Sequence, residues 1–500
     1  MSNHRYLEAV DMGIDTHEEP VVYMRKDCDI CRAEGFEANT RLLIRHGERN
    51  LIATLNTVSE SVLPNGGIGF SKSAWRYLGL TAGLEVNISH APVVQSLSAM
   101  RKKIYGNALS ETELASIIHD IAERHYSDIE IAAFLTGCAG GRLSLEEIIA
   151  LTRAMVDSGS RIHWRQYPKV FDKHCVGGLP GNRTTPIVIA IASAAGLTLP
   201  KTSSRAITSP AGTADTMEVL TNVDLTLDQM QSVIHQTGAC LAWGGRMNLS
   251  PVDDLMIRVE RALDLDGEGQ LVASVLSKKI AAGSTHILID MPVGPTAKVR
   301  DESQARRLAD LFHAVGEALD VRVECLTTDG TQTVGDGIGP AEEARDVLAV
   351  LRNDPGAPAD LRERALLLAT HLLVMANGDS YEEAESRTRE ILETGGAWQQ
   401  FLRICEAQGG LREIPRAPRQ KIFTSERSGR LTTMDNRRLA KLAKLAGAPS
   451  SAVAGLRLQA KLGQRLAAGD PLFTLYSDTP GELDYASDFY QSNRDIFEIA

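Results

Sequence analysis

The sequence predicts a multidomain α/β protein, and three features of the chain support that fold class. A length of 500 residues with 43% hydrophobic residues is enough for two to four domains with cores of their own. Through the middle of the chain, short apolar segments alternate with helical ones, as in residues 287–291, 303–319 and 321–326. Glycine-rich and hydroxyl-rich loops follow apolar segments, and an open α/β sheet binds its ligands with such loops.

Residues 1–90 are expected to form a small, mostly β domain. Residues 41–45 and 51–55 have the pattern of strands around a turn at 46–49, and residues 83–88 indicate another strand. No combination of catalytic side chains stands out in this segment. We therefore interpret it as a module for packing or assembly.

Residues 91–168 are expected to form a helical lobe. Three capping boxes, in which a glutamate follows a serine by three residues, mark three helix starts. They are Ser110 with Glu113, Ser127 with Glu130, and Ser144 with Glu147.

Residues 169–249 and 283–414 carry the α/β pattern, and the candidate chemistry lies between residues 172 and 218. Gly177, Gly178 and Gly181 would let the backbone approach an anion closely. Thr184 and Thr185 stand where the next helix would begin, with its amides pointing outward. This arrangement predicts a phosphate cradle.

A second loop, after residues 197–200, is crowded with hydroxyl and basic side chains. Its members are Ser203, Ser204, Arg205, Thr208, Ser209 and Thr213. Two such loops at the ends of consecutive strands favour a phosphorylated ligand. The alternative interpretation is a pair of solvated surface loops.

Residues 419–500 follow a proline-containing linker at 415–418. A helical pattern at 436–446 and strand-like residues at 455–476 predict an α+β C-terminal domain.

Charge and cysteine content exclude several classes of function. A net charge of −11 disfavours nucleic acid polymers and anionic membranes as partners, although a local basic pocket can still bind phosphate. No segment approaches the roughly 20 apolar residues of a membrane span, and residues 1–10 lack a signal-peptide core, so we expect a cytoplasmic protein. Cys28-x-x-Cys31 has a zinc-site spacing without a second cysteine pair, and free thiols without metal are the favoured interpretation.

Four motifs occur in order between residues 173 and 279. They are Lys173-His174-Cys175-x-Gly177-Gly178, residues 201–209, residues 211–216, and Ser274-x-x-Ser277-Lys278-Lys279. Together they resemble the thymidine/pyrimidine-nucleoside phosphorylase family, most closely the branch that includes the archaeal AMP phosphorylases, from about residue 94 to the C-terminus. The resemblance implies phosphorolysis of an N-glycosidic bond, with inorganic phosphate as co-substrate and no cofactor. It also implies an active-site cleft between the helical and α/β lobes, with residues 250–282 contributing to the helical lobe, and a homodimer or larger homo-oligomer.

Residue by residue, the resemblance implies a set of phosphate contacts. These are Lys173, Cys175, Gly178, Thr185, Ser203 and Thr213. Cys175 departs from the family, in which serine is usual, and a thiol is the poorer hydrogen-bond donor.

The resemblance also implies residues for the base and the sugar. His174, a catalytic candidate, falls with Ser274 and Lys278 on positions that contact the base. Asp266 falls where the AMP phosphorylase branch has its proposed proton donor, and a carboxylic acid near N7 could protonate a departing purine; the alternative is an acidic loop in water. A 5′-phosphate would fit the group of Ser204, Arg205, Ala206, Ile207, Thr208, Ser209 and Lys298.

Glu260 bears on the choice of base. Thymidine phosphorylases have a uracil-reading arginine at this position, whereas a carboxylate only accepts hydrogen bonds, as from an exocyclic amino group. AMP or another nucleoside 5′-monophosphate is therefore the preferred substrate, with thymidine the family-level alternative. Two other hypotheses are an anthranilate-type phosphoribosyltransferase, which would need magnesium and an acidic pair such as Asp253-Asp254, and a nucleotide-binding protein without catalysis.

Overall fold

The computed structural model describes residues 6–206, 209–263, 265 and 267–500. Three residues with predicted roles, Ile207, Thr208 and Asp266, therefore lie outside the described residues. The chain divides into two compact units, Met1–Ala154 with Pro251–Gln270, and Met155–Ser250 with Leu271–Ala500. In the described ranges, no helix combines the length and apolar character needed to cross a membrane.

The first unit begins with a closed six-stranded barrel in the order β1-β5-β2-β4-β3-β6. Its elements are β1 (Tyr6–Asp11), β2 (Val21–Arg25), α1 (Asp29–Glu34), β3 (Arg41–His46), β4 (Arg49–Val58), β5 (Gly67–Phe70), α2 (Lys72–Leu78) and β6 (Glu85–His90). The predicted hairpin is confirmed as β3 and β4, with Leu42 and Ile44 fully buried. The sequence did not indicate β2, which is buried on both faces and so does not alternate, or β5, in which glycines hide the pattern.

The same unit continues with helices whose predicted starts are confirmed. The helices are α3 (Leu97–Ile104), α4 (Glu111–Ala122), α5 (Asp128–Cys138) and α6 (Leu145–Asp157). All three capping boxes form, including the amide of Ser144 to Glu147 at 3.0 Å and the amide of Glu147 to Ser144 at 3.3 Å. A later helix, Pro251–Leu263, packs against α4 and α5.

The second unit contains the α/β region, whose strands form two parallel sheets, β11-β10-β7 and β8-β9. In chain order, and including α10 of the first unit, the elements are β7 (Phe171–Cys175), α7 (Thr184–Ala194), β8 (Leu199–Ser203), α8 (Thr213–Leu220), α9 (Leu227–Thr237), β9 (Ala239–Trp243), α10 (Pro251–Leu263), α11 (Glu268–Ala281), β10 (His286–Val293), α12 (Glu302–Ala318), β11 (Arg322–Asp329), β12 (Gly337–Ile338), α13 (Pro340–Arg352), α14 (Ala359–Asn377), α15 (Tyr381–Glu393) and α16 (Gly396–Ala407). The amide of Phe171 bonds the carbonyl of Thr198 at 2.9 Å and links the two sheets. Helix α7 is apolar on all sides and is buried along its length between α14 and α16, which anchors the loop before it.

The chain ends in an α+β domain, as predicted. Its elements are β13 (Arg419–Thr424), β14 (Gly429–Met434), α17 (Asn436–Leu445), β15 (Gly455–Leu458), β16 (Arg465–Leu466), β17 (Pro471–Ser477), α18 (Pro480–Ser492) and β18 (Phe497–Ile499). The strands form the sheets β12-β15-β17-β13 and β16-β14-β18, so β12 joins this domain to the α/β region. The fold class is confirmed, with a β-rich N-terminal domain, a helical region, an α/β region and an α+β end.

Candidate functional site

Strand β7 carries Lys173 at its middle, and this residue is almost fully buried. Its ammonium group donates to Thr184 Oγ1 at 2.8 Å and lies 3.6 Å from an Asp290 carboxylate oxygen. Parallel pairing of β7 with β10 sets Cys175 opposite Asp290, and Asn182 donates to the Cys175 thiol at 3.3 Å. The lysine therefore faces the first turn of α7.

Thr184 was expected at the start of the helix in the predicted phosphate cradle, whereas Asn182 and Asp290 were not among the predicted site residues. Asp290 had a sequence signal, since it is a lone acidic residue inside an otherwise apolar strand. It accepts hydrogen bonds from Thr328 at 2.7 Å and Asn182 at 3.4 Å. Buried charges that are paired in this way commonly mark sites.

The glycine-rich turn has the backbone that a phosphate cradle requires. Gly178 has a φ of +82°, and a Cβ there would lie 2.7 Å from the amide nitrogen of Lys298. The turn after β7 therefore packs directly on the loop after β10. Thr185 is buried in the first turn of α7, and the N-cap residue Arg183 makes no side-chain capping bond, so the helix amides are not capped from that side chain.

The second loop converges on the first through an arginine. Arg183 Nη1 donates to Thr213 Oγ1 at 2.8 Å, and its Nη2 donates to the Ala211 carbonyl at 2.8 Å. The Asp215 carboxylate accepts from the amides of Ala206 at 2.7 Å and Gly212 at 2.8 Å, which holds this loop against α8. Two loops whose linked residues lie 28 and 30 positions apart in sequence thus meet beyond the carboxyl ends of β7 and β8.

Ser203 is the last residue of β8, and Ser204 follows it in the second loop. The Ser203 hydroxyl oxygen is buried and has no hydrogen-bond partner among the described residues. A Cβ on Gly212 would lie 2.6 Å from the Ser204 carbonyl, so the loop closes tightly behind these serines. A buried hydroxyl without a partner is what a ligand-binding group looks like before its ligand is bound.

Helix α11 presents Ser274 and Lys278 on one face, as their spacing predicted. Both are half-buried, whereas the residues between them and on either side are buried. Lys279, the next residue, reaches the fully buried carboxylate of Asp172 at 2.9 Å. Asp172 precedes Lys173 in β7, so this ion pair ties α11 to the strand that carries the candidate phosphate contacts.

Asp172 also binds Lys201, at 2.9 Å, and the three groups form a buried cluster. Burial alone would raise the pKa of Asp172, but the two ammonium groups outweigh it and hold that pKa below its usual range. Burial lowers the pKa of Lys279 to about 7, against the attraction of Asp172. The cluster keeps a positive potential at the end of β7.

The charges of this cluster act on His174. Burial and then the charges of Lys279 and Lys201 lower the pKa of its imidazole well below 6.5, with Lys278 and Lys173 acting in the same direction. The ring is therefore neutral near pH 7. A neutral imidazole can both donate and accept a hydrogen bond, as contact with a heterocyclic base requires.

Arg205 lies elsewhere on the loop. Its guanidinium donates to both oxygens of Glu218, at 2.5 and 2.8 Å, and stacks 4.9 Å from the Trp243 ring centroid. It lines a cavity of about 640 Å³ together with Arg412, Pro415 and Ser450. To contact a substrate phosphate beside Thr213, Arg205 would first have to leave Glu218.

One predicted residue belongs to the first unit. Glu260 lies half-buried on α10, and Asp266 is outside the described residues. Arg258, two residues before Glu260, donates to Asp128 at 2.5 Å and to the His17 carbonyl at 2.7 Å. On the same helix Asp253 is buried and Asp254 exposed, which is a poor arrangement for a shared magnesium ion.

Comparison with known proteins covers most of the chain. Residues 97–159 match the helical bundle domain of the glycosyl transferase family, and residues 167–398 match the α/β domain of that family. Residues 430–496 match the pyrimidine nucleoside phosphorylase C-terminal domain.

Full-length relatives give the same result. A protein from Hahella chejuensis named "Putative thymidine phosphorylase" is 54% identical over 494 residues, covering 99% of this chain and 98% of that protein. A protein of the same name from Ralstonia nicotianae is 55% identical, covering 95% of this chain and 94% of its own.

One solved structure shows the fold. Anthranilate phosphoribosyltransferase from Thermus thermophilus superimposes with a TM-score of 0.52 at 19% identity, covering 62% of this chain and 99% of that chain. At this identity the likeness concerns the fold alone. The family matches and the full-length relatives establish that this chain belongs to the thymidine/pyrimidine-nucleoside phosphorylase family and is a pentosyltransferase.

Proposed function

We propose that this enzyme cleaves the N-glycosidic bond of nucleoside 5′-monophosphates, AMP foremost, with inorganic phosphate. A phosphate oxygen attacks C1′ as the bond from C1′ to the base nitrogen breaks, and the bonding electrons leave with the base. The products are the free base and ribose 1,5-bisphosphate. Thymidine is the competing substrate, because it appears in the names of the full-length relatives.

The packing of the Lys298 loop against the glycine-rich turn is the observation that carries this proposal. Gly178 leaves no room for a side chain beside the Lys298 backbone, so the loop that carries Lys298, a second basic residue, packs directly on the turn that follows Lys173. One anion-binding group suffices for inorganic phosphate. A second one beside it supports a substrate that brings a phosphate of its own.

Lys173, Cys175, Gly178, Thr185, Ser203 and Thr213 are assigned here to inorganic phosphate. His174, Ser274 and Lys278 are assigned to the base, and Asp266 to protonation of a purine at N7. As C1′ gains positive character, negative charge builds on the base, and donors placed there stabilise the transition state more than the ground state. Glu260 would accept from an exocyclic amino group, which adenine has and thymine lacks.

A substrate panel tests the proposal. Purified enzyme with phosphate is given AMP, CMP, UMP, adenosine, uridine and thymidine separately, and base release is followed by chromatography. We expect AMP to be cleaved at least tenfold more efficiently than thymidine, with ribose 1,5-bisphosphate seen by phosphorus NMR. Activity confined to thymidine would overturn the nucleotide assignment, and absence of turnover would favour the non-catalytic alternative.

The variant Lys298→Met tests whether Lys298 contacts the 5′-phosphate, which a nucleotide has and a nucleoside lacks. We expect kcat/KM for AMP to fall roughly tenfold, because one charge-assisted contact is lost, while any activity on adenosine is unchanged. Lys421→Met, which changes an exposed lysine of the C-terminal domain, serves as the control. Equal losses on AMP and adenosine would remove Lys298 from the 5′-phosphate.

A further inference from the structure

Arg183 connects three separate segments of the chain. It precedes α7, it is largely buried, and each of its three guanidinium nitrogens has a different acceptor. Nη1 donates to Thr213 Oγ1 and Nη2 to the Ala211 carbonyl, both at 2.8 Å, while Nε donates to Glu343 at 2.7 Å. The first loop, the second loop and helix α13 are therefore held by one side chain.

Glu343 fixes the orientation of that guanidinium. Its carboxylate is almost fully buried, and the oxygen that binds Arg183 also accepts from Thr216 Oγ1 at 3.0 Å. The other oxygen accepts from the Gly339 amide at 3.4 Å. Since a guanidinium is a planar fork with fixed directions, holding Nε sets the positions of Nη1 and Nη2.

The bond to Thr213 has a direction that matters. The hydroxyl oxygen of Thr213 accepts from Arg183, so its own proton is left for another acceptor, and none is found among the described residues. Thr213 is also the first residue of α8, so it stands at the end of the helix where backbone amides favour anions. A hydroxyl that accepts a hydrogen bond from a cation is the better donor to an anion.

We propose that Arg183, held by Glu343, is a positioning residue that aims the Thr213 hydroxyl proton at the attacking phosphate and keeps the two phosphate loops in register. This inference rests on the proposed function, since it assigns Thr213 to phosphate. It does not require Arg183 to touch the substrate.

A set of variants isolates the effect on phosphate. Arg183→Met alone would leave the Glu343 carboxylate buried without its partner and could unfold the region. The double variant Arg183→Met/Glu343→Gln removes both charges, and the amide oxygen that it places on α13 can still accept from Thr216. We expect KM for phosphate to rise about tenfold in the double variant, with KM for the nucleotide changed less than twofold.

A mutant cycle tests whether Arg183 acts through Thr213. Thr213→Val alone is expected to raise KM for phosphate about tenfold, and adding it to the double variant should bring little further change. Arg183→Lys, which keeps the charge but loses the fork, should behave like the double variant. Arg345→Met is the matched control, because Arg345 also pairs through Nε with a glutamate of α13 at 3.0 Å and binds a carbonyl at 2.8 Å, away from Thr213.

Two results would overturn the inference. One is a folded Arg183→Met/Glu343→Gln enzyme with wild-type KM for phosphate, and the other is an additive loss on combining it with Thr213→Val. Titration calorimetry with inorganic phosphate alone separates this from the proposed function. If the wild-type protein turns over no nucleoside but binds phosphate, weaker binding by the double variant still supports the inference, and wild-type protein that binds no phosphate ends it.

Discussion

The N-terminal barrel and the strands β7, β8 and β10 differ in whether they bury charged side chains. In residues 6–90 no Asp, Glu, Lys or Arg is buried, and the core consists of residues such as Leu42, Ile44 and Leu55. Within these strands and on the adjoining α11, five charged residues are buried: Asp172, Lys173, Lys201, Lys279 and Asp290. The first region is stabilised by apolar area removed from water, whereas the second also buries charges that need one another as partners.

This difference indicates that the buried charges serve the chemistry of the site more than the stability of the fold. Replacing a buried ion pair by apolar residues is often neutral or stabilising, so such a cluster is a poor way to hold a sheet together. It does place positive charges near His174, whose pKa is lowered first by burial and then by those charges, and it favours anions beside Lys173. We therefore interpret these buried charged residues as part of the site and the barrel as a scaffold.

The largest expected effect comes from Asp172→Asn. The substitution leaves two buried ammonium groups facing each other without a carboxylate, and we expect the free energy of unfolding to fall by about 3–5 kcal/mol. Turnover should be lost as well, because Lys201 and Lys279 lie beside His174. Urea unfolding and steady-state kinetics on the same preparation measure both quantities.

Two controls frame that result. Asp224→Asn breaks an exposed pair with Arg246 and should cost at most about 1 kcal/mol. Leu55→Ala in the barrel should cost about 2–5 kcal/mol yet leave kcat of the folded enzyme unchanged. If Asp172→Asn were as mild as Asp224→Asn, the contrast between the two regions would not hold.

Local motifs could be predicted from the sequence, whereas the long-range contacts that hold the site residues could not. Capping boxes and the β3–β4 hairpin are local patterns, so their positions followed from spacing alone. Asp290 and Glu343 lie more than 100 residues from their partners Lys173 and Arg183, and no local pattern could pair them. Arg205 fell within a substrate-like loop, but an acid on the following helix holds it, which only the fold could show.

A smaller effect should appear in the pH dependence of stability. The pKa of His174 lies well below the value of about 6.5 expected in the unfolded chain, so the unfolded state binds more protons between these two values. The free energy of unfolding should therefore fall as pH drops below about 6.5, by up to about 1.4 kcal/mol per pH unit for this group.

His174→Asn should remove that share of the slope. His286 and His371, whose pKa values are also lowered by burial, act with the same sign and must be left in place. Urea midpoints between pH 5 and 7.5 for the wild type and the variant provide the measurement. Parallel curves would mean that His174 titrates normally. Neither its burial nor the nearby lysine charges would then lower its pKa, and the contrast with the barrel would be lost.

The smallest expected effect on catalysis comes from Cys175, the last residue of β7. Burial and then Asp290 raise the pKa of the Cys175 thiol to about 12, so this group stays neutral and offers phosphate only a weak S–H donor. Cys175→Ser supplies a stronger donor where Asn182 already offers a hydrogen bond, and we expect KM for phosphate to fall about threefold with little change in stability.

Cys31→Ser makes the same change inside the apolar barrel core, where we expect the free energy of unfolding to fall by about 1–3 kcal/mol and KM to stay unchanged. An increase in KM for phosphate with Cys175→Ser would show that the site is shaped around sulfur, and a gain in stability with Cys31→Ser would show that the barrel tolerates polar burial as the strand ends do.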